Sequence, residues 1–288
     1  MKIGMAIIRA KAEVIVSTGD GLIPISNVLG EKGDYPNTLS VIRDAGSSDI
    51  IKEKLEDYKW DYNLSPNDKI QFLPIIGNPE KIICIGLNYF SHLEESKQDV
   101  PESPVIFSKY NNSLEAHGNA IKIPNSVKQL DYEGELGIVI GRTAANVDPK
   151  NALDYVYGYF AANDLSARDL QFRTSQWLLG KSGDGFFPCG PFITTADEIE
   201  DPNNLDITTI VNGEIRQNSN TSKMLFRCDY LVSYLSRYFT LKPGDIISTG
   251  TPEGVILGLP QEDRQWIRKD DVIEVNIQDI GTLSNRFV

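Results

Sequence analysis

Two glutamates separated by one residue are the side chains whose type and spacing most directly indicate chemistry. Glu133 and Glu135 lie in the segment 131–141, where apolar side chains recur at alternate positions from Leu136 onward. Because successive side chains of a strand point to opposite faces, both carboxylates are predicted to stand opposite an apolar face, with Gly137 leaving space beyond them. Oxygen ligands without a nearby His or Cys suit a hard cation, so the pattern predicts a site for Mg²⁺, Mn²⁺ or Ca²⁺. The competing interpretation is a polar strand face that is exposed to water.

A third carboxylate follows an apolar, aromatic segment. Tyr155–Ala162 is predicted to be a strand, and Asn163–Gln171 after it is predicted to open into a helix. Asp164 at this junction offers a third oxygen ligand, and the alternative is that it caps the helix as an ordinary N-terminal residue. Arg168 and Asp169 are predicted to form a structural ion pair rather than to bind the ion.

One of the two histidines in the chain has a carboxylate at helical spacing. His92 and Glu95 are three residues apart, so on a helix they would lie on one face within hydrogen-bonding reach. A carboxylate beside an imidazole fixes its tautomer, which suits a general base near neutral pH. The alternative is a surface pair without a catalytic role. His117 follows Glu115 in a predicted loop and is interpreted as a surface residue.

The first quarter of the chain is predicted to be a small α+β unit. Residues 1–26 alternate between apolar and polar positions around Thr18-Gly19-Asp20-Gly21, which is a hairpin signal. Helices are predicted over Thr38–Ala45 and Ser48–Trp60, and prolines then interrupt the chain. The two predicted domains are a small N-terminal α+β domain over residues 1–72 and a catalytic metal-binding domain over residues 73–288.

The remainder of the chain is rich in predicted strands. Short apolar runs suit buried strands, and Asn212-Gly213 is the strongest short hairpin signal. The segments predicted as strands or hairpin arms are Lys81–Gly86, Pro104–Ser108, Ile207–Gln217, Gly244–Thr249 and Asp271–Ile277. A helix is predicted over Asp229–Phe239. This pattern is typical of a strand-rich α+β fold.

The composition argues against several classes of partner. The net charge of -12 and the pI of about 4.7 argue against nucleic acid, which is bound by clustered basic residues. An anionic substrate would need a local positive centre to offset this charge. The first ten residues resemble neither a signal peptide nor a membrane span. The three cysteines are far apart, so we predict reduced thiols and a cytoplasmic protein without a membrane partner.

Six short motifs, taken in their order along the chain, resemble those of the fumarylacetoacetate hydrolase family over residues 80 to about 257. The motifs are Gly86-Leu87-Asn88-Tyr89 with His92; Leu130-Asp131-Tyr132-Glu133-Gly134-Glu135-Leu136; Asn163–Gln171; Gly180-Lys181-Ser182 with Asp184-Gly185-Phe186; Val211-Asn212-Gly213-Glu214 with Arg216-Gln217; and Thr249-Gly250-Thr251-Pro252-Glu253-Gly254. One such motif is a weak signal, whereas six in sequence are specific. The segment before them resembles the small N-terminal domain of bacterial-type members.

The resemblance implies a fold and a set of site residues. The implied fold is a mixed β-sandwich roll for the catalytic domain, assembled as a homodimer. The implied roles are metal ligation by Glu133, Glu135 and Asp164; catalysis by the His92–Glu95 dyad and by Lys181; and substrate contacts from Gln171, Lys181 and Thr251. Glycines at positions 134 and 183 replace bulkier residues of the family pattern, so a different pocket shape is expected there.

The chemistry expected from this resemblance acts beside the ketone of a small anionic 2-oxo acid. Such an acid chelates a divalent cation, which stabilises the enolate left when the bond between C3 and C4 breaks. If His92 activates a water, the reaction is hydrolysis, and we predict a metal-dependent hydrolase of 2,4-dioxo acids. Oxaloacetate-type decarboxylation and 2-hydroxy-dienoate isomerisation are the alternatives, because they share the enolate. A metal- or ligand-binding sensor on the same fold is the non-enzymatic alternative.

Overall fold

A computed structural model describes residues 1–18, 21–30, 35–44, 46–58, 70–96 and 99–288. Its strands are β1 (Lys2–Ile8), β2 (Lys11–Thr18), β3 (Gly21–Pro24), β4 (Gln71–Phe72), β5 (Ile82–Gly86), β6 (Val105–Ser108), β7 (Leu114–Ala116), β8 (Ala120–Ile121), β9 (Leu130–Asp131), β10 (Gly134–Ile140), β11 (Val156–Asn163), β12 (Ser166–Ala167), β13 (Phe187–Cys189), β14 (Phe192–Thr195), β15 (Asp206–Val211), β16 (Glu214–Asn220), β17 (Ile246–Ser248), β18 (Val272–Ile277) and β19 (Gly281–Phe287). Its helices are α1 (Ile25–Leu29), α2 (Thr38–Arg43), α3 (Ser47–Glu56), α4 (Phe90–Ser96), α5 (Arg168–Gln171), α6 (Leu178–Lys181) and α7 (Cys228–Ser236). Within these described ranges, no helix has the length and apolar character that crossing a bilayer requires.

Two sheets dominate the described part of the chain. The larger has twelve strands, with the main order β3-β2-β1-β14-β11-β10-β17-β5-β6, and the smaller has the order β16-β15-β18-β19-β8. A separate two-stranded ladder joins β9 and β12. Strands run both parallel and antiparallel, as in the parallel pairing of β17 with β5 and the antiparallel pairing of β10 with β11. The predicted strand-rich α+β roll is confirmed.

Strand β10 lies between two apolar clusters. Leu136 and Ile138 belong to a cluster that also contains Ile207 and Val275 of the smaller sheet. Val139, which points to the other face of β10, belongs to a cluster that includes apolar residues of α2 and α3. The strand is therefore buried on both faces, so Glu135 lies in the interior rather than on a water-exposed face. Glu133, directly before the strand, is buried as well.

The N-terminal strands continue the larger sheet. β1 pairs antiparallel with β14, with Ile3 opposite Ile193, and also with β2. The predicted hairpin is formed by β2 and β3, while its turn residues 19 and 20 lie outside the described residues. Both predicted helices form, as α2 and α3. Helix α3 ends at Glu56, and the predicted end at Trp60 lies outside the described residues. The domain boundary after residue 72 stays a prediction, and strands from both sides of it share one sheet.

The remaining predicted elements are found with small changes of bounds. The β15–β16 hairpin turns at Asn212 and Gly213, with φ of 52° and 84°, which are the left-handed values that a two-residue turn of this kind requires. The predicted continuous strand over 131–141 is wrong in one respect. Asp131 belongs to β9 and pairs with Ser166 of β12, and the strand is interrupted at residues 132 and 133 before β10 begins at Gly134.

Candidate active site

The pairing of β10 with β11 brings the acidic residues together. Gly134 lies opposite Asn163, so Asp164, which directly follows β11, falls beside Glu133, which directly precedes β10. The backbone N–H of Asp164 donates to the Glu133 carbonyl over 2.8 Å, and the Glu133 N–H donates to Asn163 Oδ1 over 3.0 Å. Sheet register therefore positions Asp164, which the sequence alone left open as a helix cap.

Glu133, Glu135 and Asp164 form a buried cluster. Each offers a carboxylate oxygen, and these atoms all lie within 4.8 Å of one another. Burial, and then the charges of Asp164 and Glu133, raise the pKa of Glu135 well above its usual range. Buried like charges are unfavourable unless they are compensated, and three carboxylates at this spacing suit a hard divalent cation. The three residues thus fit a metal of the predicted kind.

Glu135 is fixed from the neighbouring strand and the loop after it. The Ser248 hydroxyl donates to Glu135 Oε2, and the Gly250 N–H donates to the same oxygen over 3.0 Å. The expected free space beside Gly137 is absent from the described structure, because a Cβ at this glycine would lie 2.2 Å from the Phe160 ring. That prediction is wrong, since the aromatic ring of the next strand fills the position.

Two buried lysines contact the acidic cluster. Lys181 Nζ lies 2.6 Å from Glu133 Oε2 and 2.9 Å from Asp164 Oδ2, and Lys109 Nζ lies 2.6 Å from Asp164 Oδ1. Burial opposes ionisation of Glu133, but the charges of Lys181 and Arg168 outweigh burial and lower the pKa of Glu133 to about 2. Sequence reasoning missed Lys109. Its one signal is its position directly after the apolar strand β6.

Arg168 is an interior residue of this site. Its guanidinium contacts Asp131 Oδ2 and Glu133 Oε1, both over 2.8 Å, and Nη1 donates to Gln171 Oε1 over 2.9 Å. The predicted ion pair with Asp169 is wrong, because the Asp169 carboxylate instead accepts from a backbone N–H at position 128. The β9–β12 ladder places Arg168 near Asp131, a pairing over 37 residues that local sequence does not indicate.

The His92–Glu95 pair lies on α4 and forms as predicted. His92 Nδ1 is 2.8 Å from Glu95 Oε1, and Glu95 Oε2 accepts from the Gly254 N–H over 2.9 Å. Asn88 holds the loop before α4, because its Nδ2 donates to the carbonyls of Phe226 and Thr249 over 3.0 and 2.7 Å. The dyad is therefore fixed by hydrogen bonds from two loops.

One cavity of about 790 Å³ joins the His92–Glu95 dyad to Lys181 and to two of the clustered carboxylates, Glu133 and Glu135. Its polar lining includes His92, Glu95, Glu133, Glu135, Gln171, Lys181, Thr251 and Arg264. Much of the rest is apolar, with Phe107, Phe172 and Trp177 among the lining residues. The Thr251 hydroxyl donates to the Gly134 carbonyl over 2.9 Å and accepts from Gln217 Nε2 over 2.8 Å. Its proton is thus already used, which leaves one lone pair for a ligand.

Two expectations about nearby residues are corrected. Neither Gly134 nor Gly183 is among the described residues that line the cavity. A Cβ at Gly134 would lie 2.1 Å from Thr209 Oγ1, and one at Gly183 would lie 2.9 Å from the Phe186 ring, so both glycines permit close packing outside the cavity. His117 is half-buried rather than on the surface, because its ring meets Phe72 edge-on.

The chain is similar to known proteins in both sequence and fold. A family model described as the fumarylacetoacetate hydrolase C-terminal domain matches residues 81–288. The Xenopus laevis protein named oxaloacetate tautomerase fahd2, mitochondrial, is 43% identical over 221 residues, which cover 76% of this chain and 69% of the relative.

Two solved structures extend the comparison to the whole chain. Fumarylacetoacetate hydrolase from the psychrophilic Exiguobacterium antarcticum superposes with a TM-score of 0.83 at 34% identity, covering 100% of this chain and 99% of that one. Maleylpyruvate hydrolase from Sphingobium sp. SYK-6, in complex with manganese(II) and pyruvate, superposes with a TM-score of 0.78 at 27% identity and the same coverage.

Proposed function

Because the chain belongs to the fumarylacetoacetate hydrolase family, we propose that it is a divalent-metal-dependent enzyme of enolisable 2-oxo acids, with keto–enol interconversion of oxaloacetate as its principal reaction. The observation that carries the proposal is that His92 and two of the three clustered carboxylates line one cavity. The name of the Xenopus laevis relative supports the choice of reaction.

The acid–base step belongs to the dyad. An ionised Glu95 only accepts hydrogen bonds, so His92 donates from Nδ1 and its Nε2 is the basic nitrogen. In the proposed reaction, Nε2 takes a proton from C3 of the keto acid, and the resulting enolate oxygen takes a proton from water to give the enol. In the reverse direction the enol loses its O–H proton to water, and Nε2 returns a proton to C3. A cation bound by Glu133, Glu135 and Asp164 would supply Lewis acidity toward the carboxylate and keto oxygens of a chelating 2-oxo acid.

Lys181 and Gln171 serve binding and charge stabilisation in this proposal. Burial lowers the pKa of Lys181, but the charges of Asp164 and Glu133 outweigh burial and hold the pKa above its usual value. Lys181 therefore stays a cation, which suits it to stabilise a developing oxyanion rather than to act as the base. Gln171 is oriented by Arg168, which binds its side-chain oxygen.

The test follows loss of the oxaloacetate enol by ultraviolet absorbance. With Mg²⁺ or Mn²⁺ present, the protein is expected to accelerate ketonisation well beyond the rate with the metal alone, and His92→Ala is expected to remove most of the acceleration. Failure of the wild-type protein to exceed the metal-only rate would sink the proposal. The sensor hypothesis predicts that result together with retained metal binding.

Hydrolysis of 2,4-dioxo acids is the second candidate. It is favoured by the cavity volume of about 790 Å³, which lies within the ~300–1,000 Å³ range of pockets for much larger ligands than a four-carbon acid. In this reaction His92 would deprotonate a water for attack at C4. Release of pyruvate from acetylpyruvate and longer acylpyruvates measures it. The same assay with oxaloacetate measures the decarboxylation alternative, which needs no activated water.

The buried thiols bear on the compartment. Cys84, Cys189 and Cys228 are free and buried in the interior. This arrangement supports a reducing compartment, of which we propose the cytoplasm.

A further inference from the structure

Arg264 is a cation of the cavity that the proposed reaction does not use. It lines the same cavity as His92 and Glu135. Its Nε donates to the Leu259 carbonyl over 2.9 Å, which orients the guanidinium. In the described ranges of the chain, no carboxylate forms an ion pair with Arg264. Its terminal nitrogens therefore remain as hydrogen-bond donors for a ligand.

The other cations near the acidic cluster are each compensated by carboxylates of the chain. Lys181 lies against Glu133 and Asp164, and Arg168 lies against Asp131 and Glu133. A chain of net charge -12 needs a local positive centre to bind an anionic group. Arg264 meets that need, because its charge is not already paired within the described structure.

The segment that carries Arg264 is fixed to the acidic end of the cavity. Asp131 Oδ1 accepts from the Ile256 N–H over 2.9 Å, and Asp131 Oδ2 accepts from the Leu257 N–H over 3.0 Å. The same carboxylate binds Arg168, which contacts the cluster residue Glu133. The segment that carries Arg264 is thus held in a fixed relation to the cluster. A fixed distance between two binding groups is what allows a site to select ligands by their length.

We propose that Arg264 receives the distal carboxylate of a 2-oxo dicarboxylic acid and so determines specificity for dicarboxylates over monocarboxylates. The inference rests on the proposed function in one respect, that the 2-oxo acid end of the ligand binds at the acidic cluster. A guanidinium binds a carboxylate through two parallel N–H···O bonds, so the group suits this recognition better than an ammonium does.

The experiment measures binding with matched acids that differ only in the distal carboxylate. Calorimetry on the Mn²⁺-loaded protein compares 2-oxoglutarate with 2-oxopentanoate, and 2-oxoadipate with 2-oxohexanoate. The wild-type protein is expected to prefer the dicarboxylate in at least one pair. Arg264→Gln is expected to reduce that preference about 10- to 100-fold, the usual effect of losing a hydrogen bond between charged groups. Arg264→Lys is expected to restore part of it.

The control is Arg286→Gln, which removes an exposed arginine that pairs with Asp270 outside the cavity lining. It is expected to keep the wild-type preference. Equal binding of both acids in both pairs, or a preference that survives Arg264→Gln, would overturn the inference. Because calorimetry measures binding without turnover, the two proposals can fail separately. If the protein does not ketonise oxaloacetate, the proposed reaction is contradicted. If Arg264→Gln nevertheless loses the preference for dicarboxylates, the role of Arg264 is still supported.

Discussion

The two histidines of the chain lie in regions that give them different partners. In the cavity, His92 Nδ1 meets the Glu95 carboxylate over 2.8 Å, close to an acidic cluster. We call a second region, formed by Phe72, His117 and Ser284, the seam. In the seam, the His117 ring meets the Phe72 ring edge-on, with ring centroids 5.2 Å apart. There, His117 Nδ1 accepts from the Ser284 N–H over 3.1 Å. A carboxylate partner orients a base, whereas a backbone N–H occupies the lone pair of a neutral ring.

The difference teaches that partners rather than residue type separate a reactive group from a structural one. Burial lowers the pKa of His117, so the seam favours its uncharged form. In the cavity, by contrast, charged groups of both signs surround Glu133 and Glu135. The pKa of Glu133 is lowered, whereas the pKa of Glu135 is raised. Perturbed, mutually interacting groups in a cleft are typical of functional sites.

Removal of a cluster carboxylate should have the largest effect. Glu135→Gln keeps the size of the side chain but removes a ligand charge, so Mn²⁺ affinity measured by calorimetry is expected to fall more than about 100-fold. The matched control is Glu214→Gln, an exposed glutamate paired with Arg216, which should bind Mn²⁺ normally. Unchanged affinity in Glu135→Gln would remove this residue from the metal site.

Loss of the cavity histidine, His92, should have the next largest effect, and this effect should be on turnover. His92→Ala is expected to lower turnover by ~10²–10⁴-fold, the usual contribution of a general base, while Mn²⁺ affinity stays at the wild-type value. His117→Asn serves as the histidine control and should keep normal turnover. Equal losses of turnover in the two variants would erase the distinction between cavity and seam.

Neutralising Lys181 should separate metal binding from turnover. Its ammonium contacts Glu133 and Asp164, so it competes with a cation for two of the three carboxylates. Lys181→Met is expected to raise Mn²⁺ affinity about tenfold, equivalent to ~1.4 kcal/mol of relieved competition, and to lower turnover. A fall in Mn²⁺ affinity would instead show that the ammonium supports the metal site.

The smallest effect is expected at the seam and depends on pH. The lowered pKa of His117 means that the unfolded chain binds more protons than the folded chain just below pH 6.5, the ordinary value for histidine. The stability from neutral His117 is therefore present above that pH and is lost as pH falls through the lowered pKa. When the pH is lowered from about 7.5 to about 5.5, the melting temperature should therefore fall more for wild type than for His117→Asn. Equal falls would contradict the assignment.

Sequence reasoning reached much of the cavity because its signals are local. Strand alternation placed Glu135 opposite an apolar face, and the three-residue spacing paired His92 with Glu95. The left-handed turn at Asn212-Gly213 likewise follows from two adjacent residues. Each of these features depends on neighbours in the chain and on fixed backbone periods.

The rest depends on contacts between distant segments. Lys109 reaches Asp164 across 55 positions, and Arg168 pairs with Asp131 rather than with adjacent Asp169, because strand register rather than adjacency decides which charges meet. The filling of the space beside Gly137 by Phe160 has the same origin. The seam position of His117 follows from strands β4 and β19 and has no local signal.

The central claim is that His92 moves a proton at C3 of a 2-oxo acid held in the cavity. Solvent deuterium exchange into C3 of 2-oxoglutarate, followed by proton NMR with Mg²⁺, tests it without assuming which reaction follows. We predict that the wild-type protein exchanges C3 protons much faster than Mg²⁺ alone, and that His92→Ala and Glu135→Gln approach the Mg²⁺-only rate. Exchange by wild type at the Mg²⁺-only rate, or undiminished exchange by His92→Ala, would contradict the claim.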